Sequence, residues 1–272
     1  MAFKHHTSLS YEFLTSSFRK AGHFCPAFFI CSILFIHSVY ANDIDNLRYP
    51  ENAWDGQVLN KLNIGPRYLD KNLEFDLPPP PANSSQETLD ELSLLKEYAR
   101  EERTESQVQK IHIEAAHGKF SEIYLNEGPF DPALQDASYH ILDFADKEII
   151  YFIVHYKKRF SRPRPSQLLP ELELVVPNPG HAAYPSGHAT QSMVFSMILG
   201  LIDPARKTFY IDYAKDIAKR REIAGVHYLS DSLCGQLLAS KLMDELLKVN
   251  EFEELLEEAR QRFMQNKTDS LT

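Results

Sequence analysis

Six prolines fall between residues 159 and 187, at positions 163, 165, 170, 177, 179 and 185. Proline lacks the N–H that an interior helical turn needs, so no long helix crosses this stretch. On both sides of it, apolar residues recur at helical spacing. Leu89, Leu92, Leu95, Tyr98 and Ala99 follow the i, i+3, i+4 rule, and Val108, Ile111, Ala115 and Phe120 continue it after a break near Arg103-Thr104. Asp131-Pro132 pairs a capping residue with proline at the first helical position. It opens a long helix towards Tyr156, with Ile141, Phe144, Ala145, Ile149, Phe152 and Ile153 on its apolar side. Helical patterns resume over 188–202, 205–224, 232–248 and 251–265, and the only strand-like stretch is "LELVV", 172–176. The class is all-α: a single-domain bundle of about six or seven helices, interrupted by one long loop. Long loops inside compact domains are usually functional.

The N-terminus reads differently. Lys4, Arg19 and Lys20 precede the apolar run Ala27–Ile36, and small residues stand at Val39 and Ala41 before the polar Asn42-Asp43. This is the pattern of a secretory signal cleaved near Ala41. The run is too short for the ~20 residues of a membrane span. Export places the protein in the periplasm or outside the cell, with no stable membrane insertion after cleavage. The formal charge of −9 becomes −11 without residues 1–41, which carry three basic groups and Glu12. So acidic a chain is a poor partner for nucleic acid. Cys25 and Cys31 leave with the signal, and Cys234 alone cannot form an intrachain disulfide. Residues 42–86 form an irregular arm holding Leu77-Pro78-Pro79-Pro80-Pro81, read as a stiff spacer. The helical domain occupies 87–272.

Three clusters carry chemistry. "KKRFSRPRP", 157–165, places five cations in eight positions of an acidic chain. Arginine presents a planar fork suited to phosphate, lysine a compact charge. "YPSGH", 184–188, ends where a helix begins, and free N–H groups at a helix N-terminus attract an anion. Ser186 adds a hydroxyl, Gly187 lets a ligand approach the backbone, and His188 follows in the first turn. In "RREIAGVHYLSD", 220–231, Arg221 ends a helix, Gly225 turns the chain, and His227 has Asp231 four residues on. A carboxylate on one ring nitrogen fixes the tautomer and frees the other as a nucleophile. Asp231 also suits the cap of the helix that follows. Together these are the parts for phosphoryl transfer through a covalent intermediate.

Lys157-x6-Arg164-Pro165, then Pro185-Ser186-Gly187-His188, then Arg221-x5-His227-x3-Asp231 resembles the three-part motif of the type 2 phosphatidic acid phosphatase superfamily. That superfamily includes the soluble bacterial class A non-specific acid phosphatases and the vanadium haloperoxidases. The likeness covers roughly residues 145–240; the "LPPPP" arm and the helices at 87–120 extend it towards the class A phosphatases. The resemblance implies catalytic roles for His227 (nucleophile), Asp231 (its orienter) and His188 (acid to the leaving alcohol, then base to water). It implies phosphate binding by Lys157, Arg164, Ser186, Gly187 and Arg221, with no metal and no cofactor. Vanadate, as a phosphate mimic, would enter the same cage as inhibitor, or as cofactor in a haloperoxidase.

Arg220 departs from the pattern, since the family's third part usually begins Ser-Arg. The extra cation either replaces a lost contact to phosphate or points away on the helix. His181 lines the leaving-group side or is a loop histidine at the mouth. The reading is an exported, metal-independent acid phosphatase acting on a small phosphorylated substrate. The alternatives are a vanadium-dependent haloperoxidase and a phosphate-binding protein without turnover. The amphipathic C-terminal helix "EFEELLEEARQRF" packs on its own domain or offers a face for a homo-oligomer.

Overall fold

In the computed structural model, which describes residues 43–116 and 118–269, Asp131 opens the longest helix as its chemistry dictates. Its side chain accepts from the N–H of Ala133 at 2.9 Å, and Pro132 takes the first helical position, where no N–H is required. The chain divides into two units, Met1–Asn46 and Leu47–Thr272. Of the first, residues 43–46 are described and begin with a helical turn. The stretch expected to act as an export signal, 1–41, with Cys25 and Cys31, lies outside the described residues.

From Gly56 onward, ten helices stand among the described residues: α1 (Gly56–Ile64), α2 (Gln86–Glu101), α3 (Glu105–Glu114), α4 (Phe120–Glu127), α5 (Pro132–Phe160), α6 (Pro165–Leu168), α7 (Gly187–Ile202), α8 (Lys207–Ile223), α9 (Leu229–Leu246) and α10 (Asn250–Asp269). The all-α class holds, with more helices than the six or seven expected. One extra lies in the arm, where Asp55 caps α1 and Gly65, at φ 69°, ends it. Another arises because the pattern over 108–120 breaks at the end of α3 and restarts at Phe120. The third is the single turn α6, started by Pro165. Residues 172–176 are not a strand. Leu172 and Val176 pack with Ile223, Ala224 and Val226, and no second strand lies alongside among the described residues.

Helix α7 is the centre of the bundle, apolar almost all round and buried along nearly its whole length. Helices α5, α8, α9 and α10 surround it, and Ile141, Ile149, Phe152, Ile198, Leu199, Leu238 and Leu242 share one core. The α9–α7 approach is close at Gly235: a Cβ there would lie 2.7 Å from the carbonyl oxygen of Ser186. This brings the helix after His227 against the start of α7. Phe252, Leu256, Ala259 and Phe263 of α10 are buried in the same core, so the C-terminal helix packs on its own domain.

The arm is more than a spacer. Buried Glu148 of α5 accepts the backbone N–H groups of Arg67, Tyr68 and Leu69 at 2.9–3.0 Å. The hydroxyl of Tyr184, in the PSGH segment, donates to the carbonyl of Pro78 at 2.6 Å. The proline run thus straps onto the base of the candidate site. Among the described residues, no helix is long and apolar enough to cross a membrane.

Candidate active site

Each of the three motif segments sits where a helix starts or ends. Lys157 lies in the last turn of α5, which Ser161 closes in the left-handed conformation. Arg164 is the N-cap of α6. Ser186 caps α7, its Oγ accepting from the N–H of Ala189 at 3.4 Å. The first-turn N–H groups of Gly187 and His188 have no intrahelical carbonyl to bond. Arg221 ends α8, and Gly225, at φ 80°, turns the chain back. A side chain at Gly225 would be strained by that φ and would press on Leu174 at 3.0 Å.

His227 is held from both sides. Its Nδ1 donates to Asp231 Oδ2 at 2.9 Å, and its Nε2 lies 3.0 Å from Arg164 Nη1. A guanidinium only donates, so Nε2 carries the lone pair and Nδ1 the proton. Asp231 caps α9 as well, since the same Oδ2 accepts the N–H of Tyr228 at 3.0 Å. Asp231 is thus the third residue of α9, closing a capping box on Tyr228, rather than the cap of a helix starting at 232. Its backbone carbonyl accepts from the N–H of Ser186 at 2.9 Å, which ties the second segment to the third. A Cβ on Gly187 would sit 3.8 Å from Lys157 Cε, which ties the second to the first.

The three predicted cations are buried and have no carboxylate within ion-pair distance among the described residues. Lys157 Nζ donates to the carbonyls of Ala182 and Ala183 at 2.9 and 3.0 Å. Arg164 donates to the carbonyls of His181 and Val226. Arg221 leaves Nε and Nη1 buried with no hydrogen-bond partner among the described residues. Burial pushes Arg164 and Arg221 down to about 10, and burial plus the nearby Arg164 charge holds Lys157 well below the ordinary lysine value. Charges this poorly compensated call for an anion.

Sequence reasoning missed the support behind Asp231. Arg162 donates to Asp231 Oδ1 at 2.7 Å and to Glu91 Oε2 at 2.9 Å, and its guanidinium lies 3.8 Å over the Tyr228 ring. Glu91 of α2 also accepts the N–H of Ser230 at 2.5 Å. A buried chain thus runs Glu91–Arg162–Asp231–His227. His181 sits against the arginine rather than free at the mouth: its Nδ1 lies 2.9 Å from Arg164 Nη2 and 3.2 Å from the carbonyl oxygen of Ala182, and its own carbonyl accepts from Arg164 Nε at 3.0 Å. Arg220 does not turn to the cage. Its Nε donates to Glu114 Oε1 at 2.7 Å.

His188 Nε2 lies 2.9 Å from the carbonyl oxygen of Glu114, which can only accept, so Nε2 carries the proton and Nδ1 is left for a second partner. Burial first, and then the Arg221 charge, lower its pKa to about 3. His227 lies well below the ordinary value through burial and the charges of Arg164, Lys157 and Arg221. A bound dianion opposes these positive charges and raises both values, so anion binding takes up protons. Sulfate affinity is therefore expected to rise as pH falls from about 7 towards about 4, by up to about tenfold per pH unit for each proton taken up. Calorimetry in buffers of different ionisation enthalpy counts those protons, and His188→Asn should lower the count. Affinity independent of pH would contradict this electrostatic account.

A family model described as PAP2 superfamily matches residues 147–242, the stretch that carries all eight sequence-predicted site residues. No curated protein matches the sequence. Among solved structures, the first bacterial vanadium-dependent iodoperoxidase aligns with a TM-score of 0.60 at 18% identity, over 77% of this chain and 61% of that one. The chain thus spans less than two thirds of that protein's length, and the likeness is one of fold. A transmembrane PAP2-type phosphatidylglycerolphosphate phosphatase from Bacillus subtilis aligns at 16% identity with a TM-score of 0.29, over 62% of this chain and 97% of that one.

Proposed function

We propose, from the match of residues 147–242 to the PAP2 superfamily model, that this chain is an exported acid phosphatase that hydrolyses phosphate monoesters through a phosphohistidine. The observation that carries the reading is the cage: three buried cations with no carboxylate in ion-pair distance among the described residues, beside a histidine whose Nδ1 donates to Asp231. A plain phosphate-binding protein needs the cations but not an oriented nucleophile.

In this mechanism Lys157, Arg164, Arg221, the Ser186 hydroxyl and the Gly187 amide grip the phosphoryl oxygens. As a phosphoryl oxygen takes up Arg164, the lone pair on His227 Nε2 is released to attack phosphorus. The N–P bond forms as the ester P–O bond breaks, and Asp231 stabilises the positive ring through Nδ1–H. His188, protonated once the anion is in place, gives its Nδ1 proton to the leaving oxygen. A water molecule then loses a proton to His188 and attacks phosphorus, and the N–P bond breaks to release phosphate and neutral His227. Each donor to the developing charge is worth ~3–4 kcal/mol.

Vanadate has the shape and charge of phosphate, so the same cations and the same Nε2 suit it. The fold likeness to the iodoperoxidase favours vanadium-dependent halide oxidation as the second reading. The basic, apolar N-terminal run supports export to the periplasm or beyond. The test is hydrolysis of an aryl phosphate by residues 42–272 with EDTA present. Turnover that resists EDTA, is blocked by orthovanadate, and leaves an acid-labile phosphoenzyme absent from His227→Ala is expected. Halide oxidation by peroxide in the vanadate-loaded protein, with no ester hydrolysis, would replace this reading with the second.

A further inference from the structure

We propose that the buried Glu114–Arg220 pair positions His188 for proton transfer to the leaving group, so that both residues set how well the enzyme cleaves esters of poor leaving groups. The inference rests on the phosphatase reading above and adds two residues to it.

Glu114 is the last residue of α3, where backbone carbonyls have no intrahelical donor. Its carbonyl oxygen takes the His188 Nε2 proton at 2.9 Å. That bond selects one ring tautomer and leaves Nδ1 as the nitrogen that exchanges the catalytic proton. It also places the negative end of a helix dipole on the ring, which favours the protonated acid. The Phe120 ring, 4.6 Å from the imidazole at 68°, walls the ring on another side.

A carbonyl at the end of a ten-residue helix is a poor anchor unless something holds the helix end. Arg220 does so. Its Nε donates to Glu114 Oε1 at 2.7 Å, and its Nη2 touches the same oxygen at 2.6 Å, out of line for a hydrogen bond. Glu114 is 7% exposed and Arg220 4%. A buried ion pair gives little net stability compared with apolar side chains of the same size, so its presence here calls for an orienting role. Arg220 precedes Arg221 in the last turn of α8. One helix end thereby carries both a phosphate-gripping cation and the brace of the proton donor.

Two readouts test this. The first is single-turnover phosphorylation of Arg220→Gln and Glu114→Gln with two esters. 4-Nitrophenyl phosphate releases a stable anion that needs little protonation, whereas an alkyl phosphate needs the acid. A fall of roughly 10–100-fold on the alkyl ester, against less than about threefold on the nitrophenyl ester, is expected, since general acid catalysis contributes about 10²–10⁴-fold in all. Arg220→Lys should recover part of the loss. Equal losses on both esters, or none, would overturn the proposal. The second readout is the ¹⁵N spectrum of the His188 ring in the same proteins, which needs no turnover. The Nε2–H tautomer should dominate in the parent and mix with the other in both Gln variants; an unchanged spectrum sinks the positioning role. A parent protein that hydrolyses no ester fails the phosphatase reading instead, and the spectrum still decides whether the pair orients the ring.

Discussion

Asp231→Asn is expected to lower kcat on aryl phosphates by roughly 10⁴-fold while the fold survives, the scale seen when a catalytic histidine is left in the wrong tautomer. The carboxylate serves three donors at once: His227 Nδ1 at 2.9 Å, the N–H of Tyr228 at 3.0 Å and Arg162 Nη1 at 2.7 Å. An asparagine has one oxygen and one NH₂ for these two sides. If its NH₂ faces His227, two N–H groups oppose each other and the ring shifts its proton to Nε2. The attacking lone pair is then gone, and Arg164 Nη1 meets an N–H instead of an acceptor. If its NH₂ faces Arg162, donor confronts guanidinium, and Arg162 keeps only its ties to Glu91, Ser230 and Thr88. In both orientations the negative charge that stabilises a positive His227 is lost. The check is steady-state turnover together with a thermal melt and the yield of phosphoenzyme. A folded variant within tenfold of the parent would show that Asp231 is only the cap of α9.

What the sequence displays and what it hides divide along a physical line. Local chemistry is visible: Asp131-Pro132 starts α5, Ser186-Gly187 starts α7, and Gly225 supplies the positive φ before His227. Each of these is decided within a few residues, by capping or by a steric rule. The motif segments are visible because their spacing is fixed. The support behind them is long-range. Glu91 meets Ser230 across 139 positions, and Glu114 meets Arg220 across 106. In sequence, Glu91 is one acid among many on an amphipathic helix, and Arg162 is one of five cations in a basic run. Neither periodicity nor composition marks a charge as buried; only the fold brings its partner. The same holds for His181, whose bond to Arg164 spans 17 residues of proline-rich loop. The "LELVV" stretch misleads for the opposite reason. Its β-branched and apolar side chains bury against the end of α8 as loop, and no second strand lies alongside it among the described residues.

Arg221→Met is expected to make the anion-free protein more stable and the enzyme worse. The side chain is 1% exposed, and its Nε and Nη1 have no hydrogen-bond partner among the described residues. Burial lowers its pKa to about 10, with the neighbouring Arg220 charge adding to the effect. A thioether of similar length removes that uncompensated charge. Exchanging buried charges for apolar side chains commonly stabilises by about 1–4 kcal/mol. For a chain of this size that is a rise in Tm of roughly 2–4 °C per kcal/mol. The same exchange removes a donor to the transferring phosphoryl group, so kcat/KM should fall by about 10²–10³-fold. Phosphate added to the parent should raise its Tm by binding the folded state, and should raise that of the variant much less. A variant that melts lower than the parent in anion-free buffer would mean that Arg221 has a stabilising partner within the fold, and that the cage is not held ready for an anion. The opposite shifts of stability and turnover mark the cage as a site that the fold keeps at its own expense: its cations oppose folding until a phosphoryl group arrives, and the core around α7 holds them together until then.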